Sequence, residues 1–237
     1  MEQDQKAMKI NPNSADTHNS LGAVLGMQGK TDEAVESIRR AIALKPDFPE
    51  AHNNLGGILI DQGRLDDAIA CYQQAIALRP DYASAHSCLI LALHYHSGHE
   101  PALIAAELRR WKERHATPLT PLLRPHANLP APERRLRVGY ISPDLRSHPV
   151  GWFLRPLLSN HDHQGFEIFC YSTTNRPDDF TARLRAYSDH WRELPDHSVD
   201  LIAELIRTDE IDILVDLASH TARNNLLVLA RKPAPVQ

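Results

Sequence analysis

Shifting the sequence against itself by 34 positions superimposes Pro12 on Pro46 and Pro80, His18 on His52 and His86, and Leu21 on Leu55 and Leu89. Gly22 and Gly56, Gly29 and Gly63, Ala34, Ala68 and Ala102, and Ala41 and Ala75 keep the same period. A fixed period with small residues at set offsets constrains the first half of the chain to stacked pairs of antiparallel helices. Gly22 and Gly56 let the first helix of a pair approach its neighbour, and Gly29 and Gly63 sit where that helix must end. Ala34 and Ala68 keep the second helix close, while Leu21, Leu25, Ile38, Ala41 and Ile42 make one apolar stripe at helical spacing. Lys45-Pro46 and Arg79-Pro80 stop the second helix, because the residue before a proline avoids the α region.

This period is the signature of the tetratricopeptide repeat. Full repeats are expected over 15–48 and 49–82, a degenerate one over 83–116, and a partial one over 1–14. In the third repeat Ser97-Gly98-His99-Glu100-Pro101 replaces the usual turn and Arg109 stands where an alanine is expected. Residues 1–11 read as the end of a second helix without its partner, which predicts a fragment at the N-terminus or a frayed first helix. Stacked repeats offer a concave surface to a protein or peptide.

Thr117 to Arg135 holds five prolines and no helical period, so it reads as an extended linker that Leu119, Leu122 and Leu123 could pin to a domain surface. From Leu136 onward strand-like and helix-like runs alternate. Strands are expected at Val138–Ser142, Phe166–Ser172, Trp191–Leu194 and Ile211–Leu217, and helices at Gly151–Asn160, Phe180–Ser188, Val199–Thr208 and Leu226–Ala230. Alternation of this kind builds a parallel sheet with helices on both faces. The fold class is therefore α plus α/β: a repeat solenoid followed by a Rossmann-like parallel lobe over 136–237.

In an open parallel sheet, ligands bind in the loops at the carboxyl ends of the strands. Two such loops carry a histidine, His148 between Ser142 and Pro149, and His220 after IDILVDL. Pro149 suits the first turn of a helix, which places His148 at its N-cap, where the positive helix end favours a neutral ring able to accept a proton. The plain alternative is a histidine that only caps a helix. Asp216 either orients an imidazole or holds the loop of Ser219, His220 and Thr221.

Other chemistry finds less in the residues. The chain has 26 Lys plus Arg against 30 Asp plus Glu, a formal charge of −4, so no cationic field calls for nucleic acid. Three widely spaced cysteines suggest a reducing, cytoplasmic setting, and no apolar run is long enough for a membrane span. His94, His96 and His99, or His161, Asp162 and His163, lack the acids or cysteines of a metal site.

Taken together, the repeats, LRVGYISPDLRSHPVGWFL, FEIFCYS and IDILVDLASHTARNNLLVLARKPAPVQ resemble the protein O-linked N-acetylglucosamine transferase family, including its SPINDLY-type members. The resemblance implies a glycosyltransferase-B fold of two Rossmann-like lobes with the repeats fused to the first. It implies inverting, metal-independent transfer of a sugar from a nucleotide sugar, usually UDP-N-acetylglucosamine, to Ser or Thr of proteins, with no cofactor. No DxD triplet occurs in the chain. The same resemblance puts His148, His220 and Asp216 at the active site, with Pro149 beside the substrate. In relatives that bind extended chains, an asparagine before the first helix's leucine touches the ligand backbone. Here that position is Asn54, with Ser20 and Cys88 in the other repeats. No glycine-rich nucleotide turn follows, so the expectation is a truncated member with acceptor-side recognition, half a cleft and little or no transferase activity. The competing expectation is a non-enzymatic scaffold whose repeats bind a protein partner.

Overall fold

The computed structural model describes residues 14–98, 100–131 and 133–237. The expected partial repeat over 1–14 and His99 thus lie almost wholly outside the described residues. Two compact units divide between Arg114 and His115.

The first unit is helical. Helices α1 (Ala15–Met27) and α2 (Thr31–Leu44), α3 (Pro49–Asp61) and α4 (Leu65–Leu78), and α5 (Ala83–Tyr95) and α6 (Pro101–Trp111) form three successive pairs. Ala34, Ala41, Ala51 and Ala68 are fully buried among Ile38, Leu55, Leu59 and Tyr72, so the small residues of the period lie where helices touch. A Cβ on Gly22 would stand 2.3 Å from Cγ1 of Ile38, and one on Gly56 2.6 Å from the Tyr72 ring. Gly29 and Gly63 close the first helix of their pairs at φ of 76° and 71°, a left-handed conformation open to glycine at little cost.

The third pair is closed differently. Nε2 of His86 lies 2.7 Å from Oε1 of the buried Glu107, whose other oxygen accepts from Arg110 at 2.5 Å. Nε1 of Trp111 donates to the Ala83 carbonyl. A polar clasp and an indole thus replace the alanine contacts that join the first two pairs. A π-helical turn, Lys112–Ala116, follows α6.

The second unit is a four-stranded, wholly parallel sheet in the order β3-β2-β1-β4. Its strands are β1 (Leu136–Ser142), β2 (Phe166–Ser172), β3 (His190–Glu193) and β4 (Ile213–Asp216). Helices α7 (Pro149–Leu158) and α8 (Asp179–Arg185) bury Leu154, Leu158 and Leu184 on one face with Val138, Tyr140, Ile168 and Cys170. Helices α9 (Val199–Thr208) and α10 (Leu226–Ala230) bury Ile202, Ile206 and Val228 on the other with Ile141, Tyr171 and Leu214. Strands sandwiched between two helical layers read as near-continuous apolar runs, as FEIFCYS and DILVDL do. After α10 the chain returns beside β4, where the Leu214 N–H donates to the Val236 carbonyl at 2.9 Å.

The segment over 117–135 belongs to the second unit and differs from the extended linker expected there. Thr117–Leu122 is a 3-10 helix with proline in its first turn, and Leu122 and Leu123 are exposed rather than pinning. Polar bonds do the pinning. Arg124 pairs with Glu204, and Nε2 of His126 lies 3.0 Å from the Lys232 carbonyl. Asn128 donates to the Glu210 carbonyl and to Asp212, while Arg134 grips Asp212 with two bonds of 2.6 Å. The Arg137 N–H completes the set around this buried carboxylate. Burial pulls the Asp212 pKa up, but Arg134, the Arg137 N–H and Asn128 together hold it below the ordinary carboxylate value. Of the three leucines only Leu119 is half-buried, in the 3-10 helix that meets α10, so Leu122 and Leu123 misled because a surface strap over a lobe's polar rim is fixed largely by bonds.

Candidate functional site

Strand order locates the site. The chain runs β1, β2, β3 toward one edge and then returns to place β4 on the other side of β1. The topological switch point therefore lies between β1 and β4, where loops diverge and leave a crevice at the carboxyl ends. Ile141 stands opposite Asp216 in the register, so the two histidine-bearing loops leave neighbouring strands.

The first loop is built to hold His148. Ser142 Oγ accepts from the Asp144 N–H at 3.0 Å, turning the chain at Pro143, and Leu145 is fully buried. The Leu145 carbonyl accepts from Thr181 Oγ1 at 2.9 Å and the Ser147 N–H donates to Asp178 at 2.8 Å. Asp178 also caps α8 in a reciprocal capping box with Thr181, so one carboxylate fixes both a helix start and the loop beside it. Burial raises the Asp178 pKa, and the N–H bonds from Ser147 and Thr181 outweigh that to leave it lowered. The loop then curls so tightly that a Cβ on Gly151 would stand 2.2 Å from the Arg146 carbonyl oxygen.

His148 is the N-cap of α7, with extended φ and ψ of −151° and 152° and Pro149 in the first turn. Its Nδ1 accepts from the Val150 N–H at 3.3 Å and lies 3.8 Å from Asp144 Oδ2. An Nδ1 that accepts places the proton of a neutral ring on Nε2. In that tautomer the other ring nitrogen is the donor. The backbone bond decides the tautomer, and no sequence pattern reports it.

The second loop is shaped by Asp216. Its Oδ2 accepts from the N–H groups of Ser219 at 2.5 Å and Ala218 at 3.3 Å, bonds that hold the loop. Oδ1 is buried without a hydrogen-bond partner. Burial pushes the Asp216 pKa up, against the two backbone bonds. Ser219 and Arg223 bracket His220 and Thr221 at φ of 49° and 60°, a strained conformation for both. Arg223 reaches across to Asn175 after β2 and lies 3.4 Å from Asp196 after β3. Asn225 donates to Thr173 Oγ1 at 3.4 Å, closing the floor.

Of the residues singled out in the sequence, His148, Pro149, Asp216 and His220 thus share one end of one sheet. Asn54 belongs to the repeat unit, on α3, where its amide donates to Asn19 Oδ1 at 3.0 Å. Asp144, Asp178 and Arg223 were missed. Asp178 had a readable signal in Asp-x-x-Thr before a helix, whereas Arg223 acts across loops far apart in sequence. Among the described residues, no group of three His, Cys, Asp or Glu side chains is placed to hold a metal ion, and no helix is long and apolar enough to cross a membrane.

Helical repeats followed by a doubly wound parallel lobe, with histidine loops at its switch point, define a repeat-bearing protein with a Rossmann-like lobe. The profile of glycosyl transferase family 41 matches residues 116–237, and tetratricopeptide repeat profiles match 5–36, 27–59 and 56–95. The chain belongs to glycosyl transferase family 41. It is 38% identical over 153 residues to a probable UDP-N-acetylglucosamine–peptide N-acetylglucosaminyltransferase, SPINDLY of Arabidopsis thaliana, covering 62% of this chain and 16% of that protein. To the similarly described SEC of the same plant it is 34% identical over 107 residues, covering 44% of this chain and 11% of that one. A mutant of the Thermobaculum terrenum O-GlcNAc transferase superimposes with a TM-score of 0.92 at 41% identity, over 99% of this chain and 45% of that chain. The chain thus spans less than half the length of the relatives it matches.

Proposed function

We propose that this chain supplies the histidine-bearing wall of a site that transfers N-acetylglucosamine from UDP-N-acetylglucosamine to Ser or Thr of a protein held along the repeats. The observation that carries the reading is the convergence of the His148 and His220 loops on the switch point between β1 and β4.

In such a transfer the acceptor oxygen bonds to the anomeric carbon, and the bond from that carbon to the diphosphate oxygen breaks. The diphosphate leaves with the electron pair, and the hydroxyl proton is released. His148, with Nδ1 held by Val150, presents Nε2–H as a donor to oxygen that gains negative charge. Asp216 keeps the His220 loop in its strained conformation, so that the donor and acceptor meet a preformed wall. Pro149 starts the helix that aims His148. Asn54, steadied by Asn19, is a contact for the acceptor's backbone. A cytoplasmic setting suits the three free cysteines, of which Cys170 is buried with its thiol pushed up to about 12 by desolvation.

A chimera tests the reading: residues 1–237 replace the matching 45% of the Thermobaculum terrenum transferase. Transfer of labelled N-acetylglucosamine to a protein acceptor is expected, falling about a hundredfold in His148→Ala. A folded chimera that binds UDP yet transfers equally well with alanine at 148 would sink the assignment.

A further inference from the structure

The loop from β2 to α8, Thr173 to Asp178, bears neither of the candidate histidines, yet both histidine loops are tied to it. On one side the Ser147 N–H donates to Asp178 Oδ2 at 2.8 Å, and Thr181 Oγ1, at the start of α8, donates to the Leu145 carbonyl at 2.9 Å. On the other side Asn225 donates to Thr173 Oγ1 at 3.4 Å, and Arg223 donates to Asn175 Oδ1. The root of the loop is itself fixed. The Thr173 N–H donates to the Ser142 carbonyl at 3.1 Å, the Arg176 N–H to Thr174 Oγ1 at 3.2 Å, and both threonines are buried. Within the His148 loop, the bonds from the Asp144 N–H to Ser142 Oγ and from the Arg146 N–H to the Asp144 carbonyl join residues two apart. Such bonds shape a turn without setting where it points. The bond from Ser147 spans 31 positions and fixes the backbone next to His148 against the lobe.

We propose that the β2–α8 loop is a splint for the two histidine loops, with Asp178 and Asn175 as positioning residues. Asp178 holds the backbone beside His148, and Asn175 holds Arg223 of the His220 loop. The proposal rests on the transfer reading above and adds residues that act through the histidine loops rather than on substrate. The two oxygens of Asp178 have separate partners: Oδ1 accepts from the Thr181 N–H at 2.9 Å and caps α8, while Oδ2 takes the Ser147 N–H. Asparagine caps a helix as well as aspartate does, but it has one acceptor oxygen. With that oxygen turned to the cap, its amide N–H groups face the Ser147 N–H. Asp178→Asn therefore cuts the tie and spares the cap, whereas Asp178→Ala removes both.

In the chimera, Asp178→Asn and Asp178→Ala are expected to lose transfer alike, about tenfold in kcat with KM for the sugar donor little changed. Only Asp178→Ala should melt a few degrees lower. Asn175→Leu, which cuts the tie on the other side, should lower kcat several-fold. In the 237-residue chain, exchange of the Ser147 amide hydrogen should quicken about tenfold in Asp178→Asn, a readout that needs no transfer. A kcat loss confined to Asp178→Ala, in step with its melting, would make Asp178 a helix cap and nothing more. Parent-like kcat in Asp178→Asn or Asn175→Leu also overturns the proposal, as does Ser147 exchange unchanged in Asp178→Asn. Transfer that needs His148 but ignores these substitutions removes the splint and leaves the transfer reading standing. Transfer indifferent to His148→Ala removes the transfer reading, and Ser147 exchange then decides the splint by itself.

Discussion

A single backbone hydrogen bond changes what His148 is suited to do. With Nδ1 accepting from Val150, the ring offers a proton at Nε2, so a replacement that donates from a similar position should preserve more function than one that only fills space. In the chimera His148→Gln is expected to retain several-fold more transfer than His148→Ala, measured as initial rate at saturating donor. Asp216 invites a pH experiment. Its pKa is raised by burial, so ionisation costs the fold stability as pH climbs from the ordinary carboxylate range through the raised value, and below that range nothing is lost. Asp216→Asn keeps an oxygen for the N–H groups of Ala218 and Ser219. It should therefore melt a few degrees above the parent near neutral pH and level with it in acid, followed by circular dichroism. A constant gap at every pH would point to packing instead of charge.

At the scale of elements, the repeats were legible because their constraints are local and recur. Gly63 needs its left-handed φ of 71°, so Gly63→Ala is expected to cost about 1 kcal/mol in urea unfolding. Gly56→Ala should cost more, because its Cβ would stand 2.6 Å from the Tyr72 ring carbon. Strands and helices of the lobe were also readable. Phe166–Ser172, Val199–Thr208 and Leu226–Ala230 have the bounds that their patterns indicate, and the other elements are displaced at their ends by at most three residues. The site was legible only in part. Its histidines announce themselves at strand ends, but the bonds from Asp178 to Ser147 and from Arg223 to Asn175 join residues 31 and 48 positions apart. No local pattern encodes such pairings.

For the whole molecule, Asp212 is where the strap and the lobe meet. It accepts from Arg134, Asn128 and the Arg137 N–H while only 9% of its side chain is exposed. Removing one partner of a buried charged network is costly, so Asp212→Ala should lose about 3 to 5 kcal/mol in urea unfolding. Its lowered pKa adds a direction in pH. The stabilisation is complete above the ordinary carboxylate value and drains away as pH falls through the depressed one, so the penalty of Asp212→Ala should shrink in acid. The strap also decides where a knife can be placed. A lobe excised at Leu136, where the first strand begins, would strip Asn128 and Arg134 from Asp212 and leave a carboxylate sealed against the sheet with three of its four hydrogen bonds gone. Cut at His115, the same lobe keeps its own counter-charge. For anyone expressing the lobe alone, the fold therefore starts some twenty residues before its first strand.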